Sequence, residues 1–160
     1  MKRILLAAVI ALMPLSAIAQ DFYKGRAAYY AGEYEAALKV LRPLAEQGDV
    51  KAQLWLAMMY SLGNRVPMDQ AEAVRWYRLA ARQGNAQAHF NLGWKYYQGR
   101  GVSQDLVAAH MWFNIASVNG YSKAAGKHRD SVAEQLSPER VTEAQRLARV
   151  CMKSEYKDCD

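Results

Sequence analysis

Residues 96–105 read YYQGRGVSQD, and 36 residues earlier residues 60–69 read YSLGNRVPMD. Tyr60 and Tyr96, Gly63 and Gly99, Val66 and Val102, and Asp69 and Asp105 coincide. Taken alone, the later stretch has the glycines of a phosphate-cradling loop, in which backbone N–H groups converge at a helix start. It lacks the spacing and the Lys-Ser/Thr ending that such a loop needs. Arg65 also replaces Gly101 in the earlier copy, so a phosphate role is not shared by the two. A turn used twice is the reading that fits both.

The match extends outward from the turn. Gly48, Gly84 and Gly120 recur at the same step, as do Ala52/Ala88, Leu56/Leu92, Ala73/Ala109, Trp76/Trp112 and Ala80/Ala116. Ten of 36 positions agree, against roughly two from average composition. A period of this length marks stacked helix pairs, each too small to bury its own apolar face. Within a unit, Asp49 and Asn85 suit the N-cap of a first helix. Ala88, Leu92 and Tyr96 line one face of it, and Gly63 or Gly99 ends it in the left-handed conformation. Asp69 and Asp105 cap the second helix, and Asp69 with Glu72 has capping-box spacing. Ala73, Trp76 and Ala80 form that helix's buried stripe, with alanines for close backbone approach and the indole as filler.

The flanks carry weaker copies. YYAGEYEAALKVLRPLAEQG has Gly32 at its turn and Ala37 and Leu41 on its second helix. After Gly120, Tyr121 to about Gln135 reads as a helix, with His128 where Leu56 and Leu92 stood. Ser137 then caps a last helix with Pro138 at its first position, and Val141, Ala144, Ala148 and Cys151 form its stripe. A more polar closing unit is expected at the exposed end of a solenoid. No period-2, β-branched run reads as a strand. The expected fold is an all-α solenoid: residues 20–47, 48–83 and 84–119 as three units, and 120–160 as a capping unit and tail.

Residues 1–19 have the composition of a secretory leader. Lys2 and Arg3 precede the apolar stretch Ile4–Met13, which is too short to span a bilayer, and Ala17-Ile18-Ala19 offers small residues for cleavage. The periplasm or secretion is the expected address, with no integral membrane segment once the leader is gone. The chain has 21 basic and 15 acidic residues, a net charge of +6. The surplus is moderate and no basic run concentrates it, so it does not point to nucleic acid.

The residues that recur resemble the Sel-one-like repeat, a relative of the tetratricopeptide repeat. Its pattern is roughly A-x-x-x-L-G-x-x-Y-x-x-G-x-G-V-x-x-D-x-x-x-A-x-x-W-x-x-x-A-A. Residues 84–119 follow it through Ala88, Leu92, Gly93, Tyr96, Gly99, Gly101, Val102, Asp105, Ala109, Trp112 and Ala116, and depart at Ser117. Residues 48–83 depart at Ala57 and Arg65. The resemblance implies a right-handed superhelix serving as a protein-interaction scaffold, with first helices on the concave face. Aligning on Leu92-Gly93 then puts Phe90, Trp94 and Tyr97 in the groove, with Leu54, Met58 and Ser61 from the preceding unit and Phe22, Arg26, Tyr29 and Tyr30 from the first. Arg26, Tyr30, Met58, Phe90, Trp94 and Tyr97 are the partner-binding candidates, suited to a peptide carrying an acidic group. Packing against the neighbouring helix is the competing role for each.

Cys151 and Cys159 are the only cysteines. An even pair in an oxidising compartment reads as a disulfide, with two free or intermolecularly paired thiols as the alternative. A straight helix would hold their Cα atoms about 12 Å apart, so a bridge requires the chain to turn. His89, His110 and His128 lack metal-site spacing, and SEYK at 154–157 has no partner motif of the penicillin-interacting enzymes. No catalytic residue, metal or cofactor is expected. A binding module of the envelope is the leading class. An enzyme acting on β-lactams or cell-wall material, as in cysteine-rich relatives, and a structural subunit are the alternatives. Mass spectrometry of the exported protein should give Gln20 or Asp21 as the first residue; retention of Met1 would refute the leader.

Overall fold

The structure, a computed structural model, describes residues 15–63 and 66–159. Residues 1–14 of the expected leader lie outside them, as do Asn64, Arg65 and Asp160. Eight α-helices form among the described residues, with no strand: α1 Leu15–Tyr30, α2 Tyr34–Glu46, α3 Val50–Leu62, α4 Gln70–Ala81, α5 Ala86–Gln98, α6 Leu106–Val118, α7 Lys123–Ala133 and α8 Pro138–Lys153. Consecutive helices pack in pairs and each pair stacks on the next, as the 36-residue period requires.

The local signals act where the sequence puts them. Asp49 accepts from the Ala52 amide and Asn85 from the Ala88 amide. Gly63 and Gly99 end α3 and α5 with φ of 67° and 65°. The YYQGRGVSQD stretch is the α5–α6 turn, and its fixed point is Asp105 N–H donating to the Tyr96 carbonyl at 3.0 Å, copied by Asp69 N–H to Tyr60 at 3.0 Å. Gly101 is needed for a reason the motif does not announce. A Cβ there would stand 2.1 Å from the Gln70 carbonyl oxygen, so this turn lies directly on the start of α4.

The capping box at Asp69 closes on one side only. Asp69 accepts from the Glu72 amide, but the Glu72 carboxylate turns to the Trp76 indole N–H at 2.9 Å and to Arg75. A fully buried indole donor must be satisfied, and Glu72, one turn earlier, is the acceptor in reach. The Arg75 guanidinium beside it holds the Glu72 carboxyl below its ordinary range.

Two polar ties repeat with the period and join one unit to the next. Arg42 donates to the Tyr60 hydroxyl, and Arg78, 36 residues on, donates to the Tyr96 hydroxyl at 2.7 Å. Gln53 reaches the Ala45 carbonyl at 3.0 Å and His89 reaches the Ala81 carbonyl at 3.0 Å, again 36 residues apart. Each side chain of the second pair also meets a residue 30 positions later: Gln83 for Gln53, Asn119 for His89.

The core runs along the stack. Ala52, Ala73, Ala80, Ala88, Ala109 and Ala116 are wholly buried, and Trp76 and Trp112 fill the space the alanines leave. The closing unit departs from a regular pair: α8 packs mainly on α6, burying Ala144, Ala148 and Cys151. Trp76→Ala and Trp112→Ala should each lower the unfolding free energy by about 3–5 kcal/mol, read from urea denaturation followed by circular dichroism.

Candidate functional site

The first helices of three consecutive units bound a cleft of about 520 Å³. Phe22, Tyr23 and Arg26 come from α1, Lys51, Leu54, Trp55 and Met58 from α3, and Gln87 and Asn91 from α5, with Tyr77 of α4 behind them. Tyr77 is buried, and burial pushes its phenol up to about 12. The cleft floor is therefore aromatic and uncharged. The cations stand over rings: the Arg26 guanidinium lies 5.1 Å from the Tyr23 ring centre and the Lys51 ammonium 6.0 Å from that of Phe22. Neither makes an ion pair among the described residues: Asp21, the acid nearest Arg26 in sequence, is engaged by Lys24 at 2.9 Å, and Asp49, the acid nearest Lys51, accepts from the Ala52 amide as the cap of α3.

The six sequence candidates fall into two groups. Arg26 and Met58 line the cleft. Tyr30 stands beside it, largely exposed, with its ring 5.6 Å from that of Trp55. Phe90, Trp94 and Tyr97 belong to a separate aromatic cluster between α5, α6 and α7. The Trp94 ring centre lies 5.7 Å from Phe113, 4.7 Å from His128 and 5.6 Å from Tyr97. Phe90 meets Phe113 and Tyr121. Gly93 makes this possible, since a Cβ there would stand 2.6 Å from the Phe113 ring. These three side chains are half-buried.

The Sel1 repeat model matches residues 50–85 and 86–121. A solved Sel1 repeat protein from Oxalobacter formigenes is 32% identical, with a TM-score of 0.63, covering 71% of this chain and 88% of that one. The chain belongs to the Sel1 repeat family. A protective antigen present in uropathogenic Escherichia coli strains, which displays an SLR fold, is 27% identical with a TM-score of 0.80 over 87% of this chain. This chain spans 31% of that antigen's length. No curated protein matches it. Sel1 repeats typically mediate protein–protein interaction, and the fold is generally a non-enzymatic scaffold.

Two buried polar groups of the Sel1 units carry no sequence signal of their own. Lys95 takes the position that Met59 holds one unit earlier, and both are buried. Its stem is covered while its ammonium donates to Ser61 Oγ and Gln70 Oε1, each at 2.5 Å. Burial draws the Lys95 ammonium down to about 8, helped by Arg100. Ser61 lies in the last turn of α3, so the ammonium sits where the helix dipole is negative, tying the end of α3 to α5.

His89 is the second. It is fully buried, stacks on Trp112 with ring centres 5.6 Å apart, and burial lowers its imidazole to about 4. His110, also buried, is lowered in the same direction by burial and then by Arg129, and its Nδ1 has no hydrogen-bond partner. The Sel1 structure cysteines are joined: Cys151 and Cys159 form a disulfide with Cα atoms 4.5 Å apart.

The folded state keeps His89 neutral while the unfolded chain protonates near pH 6.5. Stability is therefore complete above that pH and is lost as pH falls towards 4, by up to about 3 kcal/mol from His89. Urea midpoints at pH 7.5 and 4.5 should show the loss. His89→Gln, which places here the residue that serves at position 53, should reduce it and leave the smaller part that His110 contributes.

Proposed function

We propose that this Sel1 repeat chain is a non-enzymatic interaction scaffold of the bacterial cell envelope that holds an extended acidic segment of a partner protein across the first helices of its first three units. One observation carries the reading: a single cleft joins α1, α3 and α5, with an aromatic floor, two cations on α1 and α3 that make no ion pair among the described residues, and two amides on α5. Arg26 and Lys51 suit carboxylates. Gln87 and Asn91, one turn apart on α5, present donors and acceptors to a peptide backbone. Met58, Trp55 and Phe22 supply the apolar seat, and methionine adapts to irregular side chains. The leader-like residues 1–19 and the disulfide support an extracytoplasmic address, and a relative described as a protective antigen agrees with it.

Trp94 is not a clean probe of this function, because its ring packs on Phe113 and His128 and its loss would disturb the fold as well. Arg26 and Lys51 are exposed and can be reversed without touching the core. Fluorescence anisotropy with two labelled peptides of equal length, one acidic and one basic around a central aromatic residue, tests the reading. The acidic peptide should bind the wild type more tightly, and more weakly as salt rises. The double variant Arg26→Glu, Lys51→Glu should lose at least tenfold in affinity, about 1.4 kcal/mol, with its melting temperature unchanged. Equal binding of the two peptides, or an unaltered double variant, would remove the cleft as the partner site.

A further inference from the structure

A second arrangement lies away from the cleft, where the chain ends. The tail after α8 turns back at Glu155 and Tyr156, both in the left-handed region with φ of 54° and 65°. Neither is glycine, so the turn is strained and must be imposed by what surrounds it. Hydrogen bonds and the disulfide hold it: the Tyr156 N–H donates to the Cys151 carbonyl at 2.9 Å, the Asp158 N–H donates to Ser154 Oγ at 2.9 Å, and Cys159 is tied to Cys151.

The turn delivers Tyr156 to the two junctions that flank the third unit. Its ring edge lies where a Cβ on Gly84 would be 3.0 Å away, at the α4–α5 turn. Its hydroxyl lies 2.9 Å from Asn119 Nδ2 and 3.2 Å from Asn119 Oδ1, at the C-cap of α6. Asn119 Nδ2 is in turn 3.3 Å from His89 Nδ1, and the Tyr156 ring centre is 4.9 Å from the imidazole. At the junction one unit earlier, Gln83, which donates to Gln53, is exposed. Elsewhere among the described tail residues only Cys159 packs on the core, while Glu155 and Lys157 pair with each other in solvent and Asp158 is exposed. Cys151 is wholly buried, whereas Cys159 is only half-buried and is the sulfur an external thiolate can reach.

We propose that the Cys151–Cys159 disulfide is a redox-sensitive latch: closed, it holds Tyr156 over the His89–Asn119–Trp112 node and seals the end of the solenoid; opened by a dithiol, it lets the left-handed turn relax and the node admit water. In the opening step a thiolate of the dithiol attacks Cys159 Sγ, breaking the S–S bond. The second thiolate of the reductant then resolves the mixed disulfide. The protein gains two thiols with two electrons and two protons, and the reductant leaves as a disulfide. The latch is independent of the peptide cleft, since none of its residues lines that cleft.

His89 supplies the readout. Proton NMR titration of the full chain, before and after reduction with a dithiol, should show His89 protonating at least one pH unit higher in the reduced form. Amides 154–158 should lose about tenfold or more in hydrogen-exchange protection, while the helical circular dichroism is kept. Cys159→Ser should reproduce the reduced state without reductant. Tyr156→Ala, with the disulfide intact, should also raise the His89 midpoint, because the seal is then missing although the latch is shut. An unchanged His89 midpoint in the reduced protein or in Tyr156→Ala would overturn the proposal. So would a collapse of the whole helical signal on reduction, which would make the disulfide a general support of the fold.

Discussion

The close approach of helix backbones at the buried alanines is the constraint on which the rest of the structure depends. Ala52, Ala73 and Ala80 in one unit, and Ala88, Ala109 and Ala116 in the next, have no exposed surface. A larger side chain at any of them would push two helices apart, and the displacement would pass to every later unit, because close-packed interiors transmit strain. Trp76 and Trp112 occupy the space that remains. Trp76 brings a polar obligation with it, which is why Glu72 serves its indole rather than completing a capping box.

Stacking also needs register, and dispersion alone does not supply it. The Arg42–Tyr60 and Arg78–Tyr96 contacts, and the pair formed by Gln53 and His89 with the carbonyls eight residues before them, fix each unit against its neighbour. Buried hydrogen bonds are directional and costly to leave unmade, so they suit this task. The substitution of histidine for glutamine in one unit adds a property the other lacks. A titratable base sits in the stack, neutral because burial forbids its charge.

The periodic scaffold is not uniform along its length. The first two units and the start of the third leave an aromatic cleft open. The rest of the third unit rests its half-buried aromatic residues on α6 and α7. The closing helix lies along α6 rather than completing a regular pair. A solenoid needs a different solution at its end, because no further unit covers the last face. Here α8, the disulfide and Tyr156 provide it.

The sequence by itself determined the helices, their caps and their turns, along with the 36-residue frame. Each of these is settled by interactions within a few residues, such as Asp49 with the Ala52 amide or the left-handed Gly99. It also pointed to Arg26 and Met58, since groove register follows from the period. The Arg42/Arg78 identity stood in the same register, yet only a structure shows that both side chains meet a tyrosine hydroxyl 18 residues on. Tertiary structure alone decided which groove residues also pack on a later helix: Trp94 looks like Met58 in the repeat but meets His128, 34 residues later. It alone placed Lys95 against Ser61 and Gln70, and Tyr156 against Asn119 and His89. Local pattern records which face of a helix is turned inward. What that face meets depends on side chains tens of residues away, whose positions exist only once the units have stacked.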